Sequence, residues 1–126
     1  MKLTVLIVED EIVTREAVSN TFRKRGYEVL GCSQGKEAWE LLWEVPGVSL
    51  VITDMMMPAM DGRELVQLMR AHEDFEKIPV LILSGVVEES AIADLLQLGP
   101  TRFLSKPASP TALLGIAEEL VLTTVH

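Results

Sequence analysis

The chain has 126 residues, 48% of them hydrophobic, and it carries 19 acidic side chains against 11 lysines and arginines. The length predicts one domain, since domains cluster around about 100–150 residues, and the hydrophobic share argues against a disordered chain. The formal charge of −8 argues against direct contact with nucleic acid or an anionic membrane surface, because phosphates repel carboxylates.

The cysteine content and the N-terminal stretch indicate a compartment. The single cysteine, Cys32, excludes an intrachain disulfide and fits a reduced cytoplasm, and its apolar neighbours indicate a small buried hydrophobe. The first apolar run ends in Glu9-Asp10-Glu11, which is unlike the cleavage site of a signal peptide. No stretch approaches the ~18–20 apolar residues that a membrane span needs.

Five short apolar runs alternate along the chain with longer amphipathic stretches. Four of the runs are rich in Val, Ile or Leu and are bounded by Gly, Pro, Ser or Asp, as buried parallel strands are. The fifth run is short and carries the weakest strand signal. The predicted strands cover residues 3–8, 28–32, 49–53, 79–83 and 102–104.

The stretches between these runs have the apolar spacing of helices. The first ends at Gly26, a natural C-cap, and the second covers residues 35–44. The third opens after the N-cap Asp61, the fourth ends near Gly99, and the fifth begins at the N-cap Ser109, which proline follows. The residues predicted to face the core are Val13, Ala17, Val18 and Phe22, then Ala38, Leu41 and Leu42, then Leu65, Val66, Leu68 and Met69, then Ile92, Leu95 and Leu96, and finally Leu113, Leu114, Ala117, Leu120 and Val121.

This fivefold alternation of strand and helix predicts an α/β fold. Its parallel sheet would carry helices on both faces. Right-handed crossovers make such a sheet doubly wound, and ligands bind at the carboxyl ends of its strands, near the point where the strand order reverses.

Polar residues follow four of the predicted strands at this edge of the sheet. Glu9 and Asp10 follow the first strand, Asp54 the third, Ser84 the fourth and Lys106 the fifth. Three converging carboxylates repel one another, and a hard divalent cation relieves that repulsion. A set of oxygen ligands suits Mg²⁺, whereas zinc would call for His or Cys.

These residue types also suit the transfer of a phosphoryl group. A carboxylate beside Mg²⁺ can attack phosphorus and form an acyl phosphate. Mg²⁺ would neutralise one equatorial oxygen, Lys106 a second, and the Ser84 hydroxyl could bond a third, while Gly85 would let the backbone approach closely. The chain has no GxxxxGK[ST] loop, which argues against a nucleotide triphosphatase.

In this order the residues resemble the receiver domain of two-component response regulators, the CheY-like family, over nearly the whole chain. The stretch from Asp54 to Gly62 reads DMMMPAMDG and matches the family pattern D-x-x-M-P-x-x-D/S-G. The acidic pair after the first strand, Ser84 and Lys106-Pro107 supply the other markers. The resemblance implies a flavodoxin-like three-layer sandwich, whose five-stranded sheet has the order 2-1-3-4-5.

The resemblance also implies which residues accept the phosphoryl group and hold the metal. Asp54 would be the phosphoacceptor. Glu9, Asp10 and Asp54 would bind Mg²⁺, and the backbone carbonyl of Met56 would add a further ligand.

The remaining markers take roles around the phosphoryl group. Lys106 would contact it, and the backbones of Gly85 and Met56 would lie beside it. Ser84 and Phe103 would be the switch residues that close onto the site, and the bond before Pro107 would be cis.

A family member of this kind would be a signalling switch. A sensor histidine kinase or a histidine phosphotransfer protein would donate the phosphoryl group, and the surface of the fourth helix, fifth strand and fifth helix would change to signal an effector or a fused output domain. A homodimer through the fourth and fifth helices follows by analogy alone. Residues 1–126 are expected to form a single receiver domain, either standing alone or cut from a longer protein.

Three features depart from common family patterns. Pro100 follows Gly99 where many receivers have alanine, so the loop into the fifth strand is expected to differ. Phe103 lacks the hydroxyl of a tyrosine. Met56 and Val86 are apolar at positions that flank the phosphoryl group in the family, which suggests slow hydrolysis of the phosphorylated form.

Other interpretations fit parts of the sequence. A phosphohydrolase of the haloacid dehalogenase type would place its nucleophile after the first strand, whereas Asp54 follows the third. A binding module that is not phosphorylated would usually lack the acceptor or an acid, and this chain has both. Copper binding by the methionines at 55–57 and 60 is less favoured than core packing. His72 and His126 are predicted to be solvated surface residues.

Overall fold

The computed structural model describes residues 2–57, 60–85 and 89–124. Its strands are β1 (Thr4–Val8), β2 (Glu28–Cys32), β3 (Val48–Thr53), β4 (Val80–Ser84) and β5 (Thr101–Ser105). Its helices are α1 (Ile12–Lys24), α2 (Gly35–Glu44), α3 (Gly62–Ala71), α4 (Ala93–Leu96) and α5 (Pro110–Thr124), with one 3₁₀ turn (Glu89–Ile92) before α4.

The five strands are parallel and follow the order β2-β1-β3-β4-β5, which confirms the expected topology. The chain moves from β1 to one side to form β2, and then to the other side to form β3. The strand order therefore reverses between β1 and β3, where Val8 pairs with Thr53. The residues that directly follow these two strands are placed next to each other at the carboxyl edge of the sheet.

Each face of the sheet has its own core. Leu6 and Val8 of β1 point into the core beneath α2, α3 and α4, while Val5 and Ile7 point into the core beneath α1 and α5. This alternation along a buried strand explains why β1 is apolar at each of its last four positions. The sequence therefore predicts a strand with helices on both of its faces, as observed.

The predicted strand boundaries agree with the structure to within one residue. β4 is shifted by one residue, and β5, which covers Thr101–Ser105, extends the prediction by one residue at each end. It is an edge strand that pairs with β4 alone, and Arg102 and Ser105 are exposed on it. An edge strand of this kind lacks the continuous apolar run that marked the central strands.

The predicted inward face of α1 is partly wrong. Val18 and Phe22 are buried as expected, but Val13 is 73% exposed and Ala17 is also exposed. Ser19 takes an inward position instead. The first two turns of α1 lie near the carboxyl edge of the sheet, where Val13 and Ala17 line a surface groove beside the loop between β5 and α5.

The other helices follow the predicted pattern with smaller corrections. In α3, Leu68 is 36% exposed while its three predicted partners are buried. The fourth helix is only four residues long and ends at Leu96, before Gly99. In this short helix and the turn before it, Ile92 and Leu95 are buried and Leu96 is half-buried. The core-facing residues of α2 and α5 are buried or half-buried, as predicted.

The surface interpretation of His72 is incomplete, since the side chain is 35% exposed but also packs against aromatic rings. Its ring is half-buried and packs 4.7 Å from the ring of Trp43 and 5.2 Å from that of Phe75, measured between centroids. A pattern of single residues could not show this, because the aromatic partners come from α2 and from the loop after α3. His126 lies outside the described residues.

Cys32 is buried, and burial raises the pKa of its thiol to about 12. The thiol therefore stays protonated at neutral pH, which agrees with an inert core residue. None of the helices described is long and apolar enough to cross a membrane.

Arg70 organises the unusual loop that enters β5. Its guanidinium donates hydrogen bonds to the carbonyls of Glu76 (2.9 Å), Ile78 (2.7 Å) and Pro100 (3.1 Å) and to Thr101 Oγ1 (3.0 Å). Gly99 has a φ of +129°, and a Cβ there would lie 2.9 Å from the Arg70 Nε atom. This arginine therefore joins the loop after α3 to the segment that enters β5.

Replacing Arg70 with methionine is expected to destabilise the fold by about 2–3 kcal/mol, because the partly buried Ile78 carbonyl and Thr101 hydroxyl lose this donor. Urea unfolding measures the change. Arg102→Met is the matched control, since Arg102 forms only an exposed pair with Glu119 and should cost about 0.5 kcal/mol or less. Equal losses in the two variants would contradict the assigned role of Arg70.

Candidate functional site

The sheet register brings the acids of β1 and β3 together. The Glu9 amide donates to the Cys32 carbonyl (2.9 Å), and the Asp54 amide donates to the Val8 carbonyl (3.1 Å). These hydrogen bonds extend the β1–β2 and β1–β3 ladders by one residue. They fix the backbones of Glu9 and Asp54, which directly follow β1 and β3. Glu9, Asp10 and Asp54 each offer a carboxylate oxygen, and these oxygens lie within 4.8 Å of one another.

Two of these three carboxylates are buried. Glu9 is 5% exposed and Asp54 is 8% exposed, while Asp10 faces solvent. Burial raises the pKa of Glu9, although hydrogen bonds from Lys106 and from the Glu11 amide act in the opposite direction. The Asp54 charge also contributes to the rise, so the expected repulsion between the carboxylates is present but is not the main cause.

Lys106 lies between the two buried carboxylates. Its Nζ atom is 2.5 Å from Glu9 Oε1 and 2.8 Å from Asp54 Oδ2. Burial alone would lower the pKa of Lys106, but the hydrogen bonds and negative charges of Asp54 and Glu9 outweigh it, and the pKa is raised. The ammonium group thus stays charged and offsets the repulsion that the sequence predicted for this cluster.

The other oxygen of Asp54 is held by the loop that follows it. Asp54 Oδ1 accepts hydrogen bonds from the amides of Met55 (2.6 Å) and Met56 (3.3 Å). The Gly62 amide then returns to the Met55 carbonyl, and a Cβ at Gly62 would lie only 2.1 Å from the Asp54 carbonyl oxygen. The glycine of the DMMMPAMDG motif is therefore required by a close approach of the backbone.

Asp61 in the same motif has a separate, structural task. It is the N-cap of α3, and its side chain accepts a hydrogen bond from the Glu64 amide at 2.9 Å. Met55 is buried while Met56 is 60% exposed, so the adjacent methionines face different environments. A copper site is favoured neither by the capping role of Asp61 nor by the different exposure of Met55 and Met56. Pro58, Ala59 and Val86 lie outside the described residues.

Ser84 and Gly85 complete the edge of the site between Asp54 and Lys106. Ser84 is 1% exposed, and its hydroxyl has no hydrogen-bond partner among the residues described. Gly85 provides room for the lysine, since a Cβ there would lie 3.3 Å from the Lys106 Cβ. A buried hydroxyl without a partner is costly, which suits a polar group arriving at this position.

The predicted switch residue Phe103 lies on β5, three residues before Lys106. It pairs with Ile82 in the sheet and is half-buried against the core beneath α2, α3 and α4. The Lys106–Pro107 peptide bond is cis, as the resemblance implied.

Sequence reasoning missed two contacts of the site. It assigned Lys106 to a phosphoryl group but did not foresee its bond to Glu9, 97 positions away. It also gave no role to Arg15, which donates a hydrogen bond to the Glu9 carbonyl at 2.8 Å. The position of Arg15 one turn into the helix that follows the acidic pair was the available signal.

Comparison with known proteins identifies the family of the chain. The family model described as the response regulator receiver domain matches residues 5–118. The chain belongs to this family. A receiver domain is a signalling domain of two-component systems and not a conventional enzyme.

Relatives of this receiver domain occur in bacteria and plants. It is 31% identical to the chemotaxis protein CheY homolog of Campylobacter jejuni, covering 96% of this chain and 94% of that protein. It is 37% identical to the two-component response regulator ORR11 of Oryza sativa, covering 85% of this chain and 73% of that protein.

Solved structures show the same fold. The Vibrio cholerae chemotaxis response regulator CheY4 aligns with a TM-score of 0.87 at 30% identity, covering 95% of this chain and 99% of that one. A response regulator receiver protein from Pseudomonas putida aligns with a TM-score of 0.86 at 29% identity, covering 94% and 98%.

The acid cluster of this receiver domain has the donor set of a hard divalent cation. Mg²⁺ is therefore expected to raise the melting temperature. At a concentration ten times its Kd it should stabilise the folded state by about 1.4 kcal/mol. Thermal unfolding with and without Mg²⁺ measures this. Asp10→Asn should abolish most of the shift without harming the fold, because Asp10 is exposed.

Asp74→Asn serves as the control, since Asp74 is an exposed acid in the loop after α3 and should leave the shift unchanged. The absence of any shift in the unmodified protein, or a full shift in Asp10→Asn, would contradict a cation site at this cluster.

Proposed function

We propose that this receiver domain is a phosphorylation-activated switch in which Asp54 accepts a phosphoryl group from a histidine. The donor would be a sensor histidine kinase or a histidine phosphotransfer protein. One observation carries the proposal: a buried aspartate lies at the strand-order reversal with a second acid, an exposed third acid and a lysine ammonium 2.8 Å from its oxygen. Transfer of an anionic group to a carboxylate requires positive charge beside that carboxylate, and this arrangement provides it.

The acids would bind Mg²⁺ in the active protein. Glu9, Asp10 and Asp54 would supply carboxylate oxygens, and the Met56 carbonyl would supply a further ligand. When bound, the cation supplies the positive charge that lets an anionic phosphoryl group approach a carboxylate. The fit is supported by a donor set made only of oxygens within 4.8 Å of one another.

The proposed transfer exchanges one bond for another. An Asp54 carboxylate oxygen attacks phosphorus and forms an acyl phosphate, while the bond between phosphorus and the donor imidazole nitrogen breaks and its electron pair returns to the imidazole. Lys106 would move part of its contact from the carboxylates to a phosphoryl oxygen. The unpartnered Ser84 hydroxyl would donate to another oxygen, with Gly85 and Met56 lining the group.

The switch itself would involve the side of the domain that carries α4. Ser84 would move towards the phosphoryl group, and Phe103 would follow by packing alone. The fourth helix is short, and Arg63 of α3 tethers it through Asp94 Oδ2 (2.5 Å) and the Ala91 carbonyl (2.7 Å). A helix of four residues is suited to a change of population, and its surface with β5 and α5 would signal an effector, a fused output domain or a second copy.

The donor would approach from the rim formed by the start of α1. Ile12 is 62% exposed and Val13 is 73% exposed, and only Glu11 separates them from the acidic pair. Exposed apolar side chains beside a charged site are suited to docking another protein. The proposal places this exchange in the cytoplasm and assigns no nucleic-acid contact to this domain, in keeping with its charge of −8.

Incubation with acetyl phosphate and Mg²⁺ is expected to add the mass of one phosphoryl group, read by intact mass spectrometry. Asp54→Asn should remove the addition completely, since an amide does not form the acyl phosphate. Asp61→Asn is the matched control, because asparagine can also cap α3 and the addition should persist. The proposal would be rejected if the Asp54→Asn variant became phosphorylated or if the unmodified chain did not.

Met56 and Val86 are apolar at positions that flank the phosphoryl group in the family, which predicts a long-lived phosphorylated form. Met56→Asn or Val86→Glu should speed hydrolysis by about tenfold, because a polar side chain can orient the attacking water. The loss of added mass over time measures the rate. Met56→Leu keeps the position apolar and should leave the rate unchanged, and the idea fails if neither polar variant accelerates the loss.

A further inference from the structure

The backbone carbonyl of Glu9 has an unusual hydrogen-bond partner. In the parallel ladder between β1 and β2, the Glu9 amide donates to Cys32, so regular pairing would direct its carbonyl to the amide of Gln34. However, β2 ends at Cys32, and Gln34 is the N-cap of α2. The Arg15 guanidinium takes the place of that strand donor, with Nη1 at 2.8 Å from the Glu9 oxygen.

This contact acts on the peptide that joins the two acids. The Glu9 carbonyl belongs to the peptide bond between Glu9 and Asp10. On the other side of the Glu9 Cα atom, the Glu9 amide donates a hydrogen bond to the Cys32 carbonyl. The backbone of Glu9 is therefore held from both sides. The orientation of the next residue, Asp10, depends on that peptide plane, since only φ and ψ can turn between them.

A glycine on β2 creates the path that the arginine follows. Arg15 lies near the start of α1, and its stem crosses Gly31, where an added Cβ would lie 3.5 Å from the Arg15 Cδ atom and 3.8 Å from its Cγ atom. Gly31 pairs with Ile7 on β1. A methyl group fits at this distance, but a larger side chain would occupy the space of the stem.

The guanidinium has no carboxylate within ion-pair distance among residues 2–57, 60–85 and 89–124. Its partner at the site is the neutral carbonyl of Glu9. The contact is therefore a hydrogen bond that fixes the position of the backbone, and not an ion pair. A positive charge here would by itself weaken the binding of a cation. Geometry and charge therefore predict opposite effects on metal affinity when the arginine is removed.

We propose that Arg15 is a positioning residue that sets the acidic pair for Mg²⁺, with Gly31 as the surface that lets it reach the Glu9 carbonyl. The inference rests on the proposed function, because it concerns the cation proposed to bind Glu9 and Asp10. Mg²⁺ demands near-octahedral geometry, so ligands with a fixed backbone bind it better than ligands on a loose loop. Outer contacts that orient metal ligands typically change affinity by about 10–100-fold.

The first test is the Mg²⁺ affinity of Arg15→Met, measured by titration calorimetry on the whole chain. Its Kd is expected to rise about tenfold. The melting temperature without Mg²⁺ should fall by a few degrees, because the partly buried Glu9 carbonyl loses its donor. Arg15→Lys keeps the charge and a donor and should recover part of the affinity. If charge were the only effect of Arg15, the methionine variant would instead bind Mg²⁺ more tightly, which would overturn the inference.

A second pair of variants leaves Arg15 in place. Gly31→Leu should displace the arginine stem and weaken Mg²⁺ binding as Arg15→Met does, whereas Gly31→Ala should bind nearly as well as the unmodified chain. Phosphorylation by acetyl phosphate should then need more Mg²⁺ in the weakened variants and approach the normal rate at saturating Mg²⁺. A lower rate at saturation with unchanged Mg²⁺ dependence would count against a role in metal positioning.

The outcomes separate the two proposals. If the unmodified chain does not bind Mg²⁺, the proposed cation site fails and this inference fails with it. If the unmodified chain binds Mg²⁺ and Arg15→Met and Gly31→Leu bind it equally well, only the inference is rejected.

Discussion

The contact of one lysine with two buried carboxylates is the interaction on which the site depends. Glu9 and Asp54 lie side by side at the ends of adjacent central strands, where burial makes two negative charges costly. The Lys106 ammonium reaches both of them. It comes from β5, so its stem must cross the end of β4, and Gly85 leaves the space for that crossing.

This arrangement explains how the domain can be stable and still be prepared for an incoming group. One oxygen of each buried acid binds the ammonium, and the other binds a backbone amide of the following loop. One ammonium offsets only part of the negative charge of the three acids, so a divalent cation could still enter the site, and the lysine would have partners both before and after transfer. The Ser84 hydroxyl, without a partner among the residues described, is the one buried polar group at this edge that such a transfer would satisfy.

The two sides of the domain differ in how firmly they are held. The acids lie on β1 and β3, which have strands on both sides and helices on both faces. Beyond β4 the sheet ends in the edge strand β5, and the adjoining α4 is four residues long. Contacts through Arg63 and Arg70 tie that side to α3 and to the loop after it. The rigid side is suited to positioning the chemistry, and the less constrained side is suited to responding to it.

The sequence by itself determined the elements, their alternation and the family. Those properties depend on local patterns, such as an apolar run between turn residues, a capping aspartate before α3, or an acid directly after a strand. The tertiary structure decided which distant side chains meet: the bond between Lys106 and Glu9, the reach of Arg15 over Gly31, and the packing of the half-buried His72 against aromatic rings. It also corrected the face of α1, where Val13 and Ala17 are exposed. These outcomes depend on how helices overhang the sheet and on distances between strands far apart in the chain, and neither quantity is written in the spacing of residues along a single element.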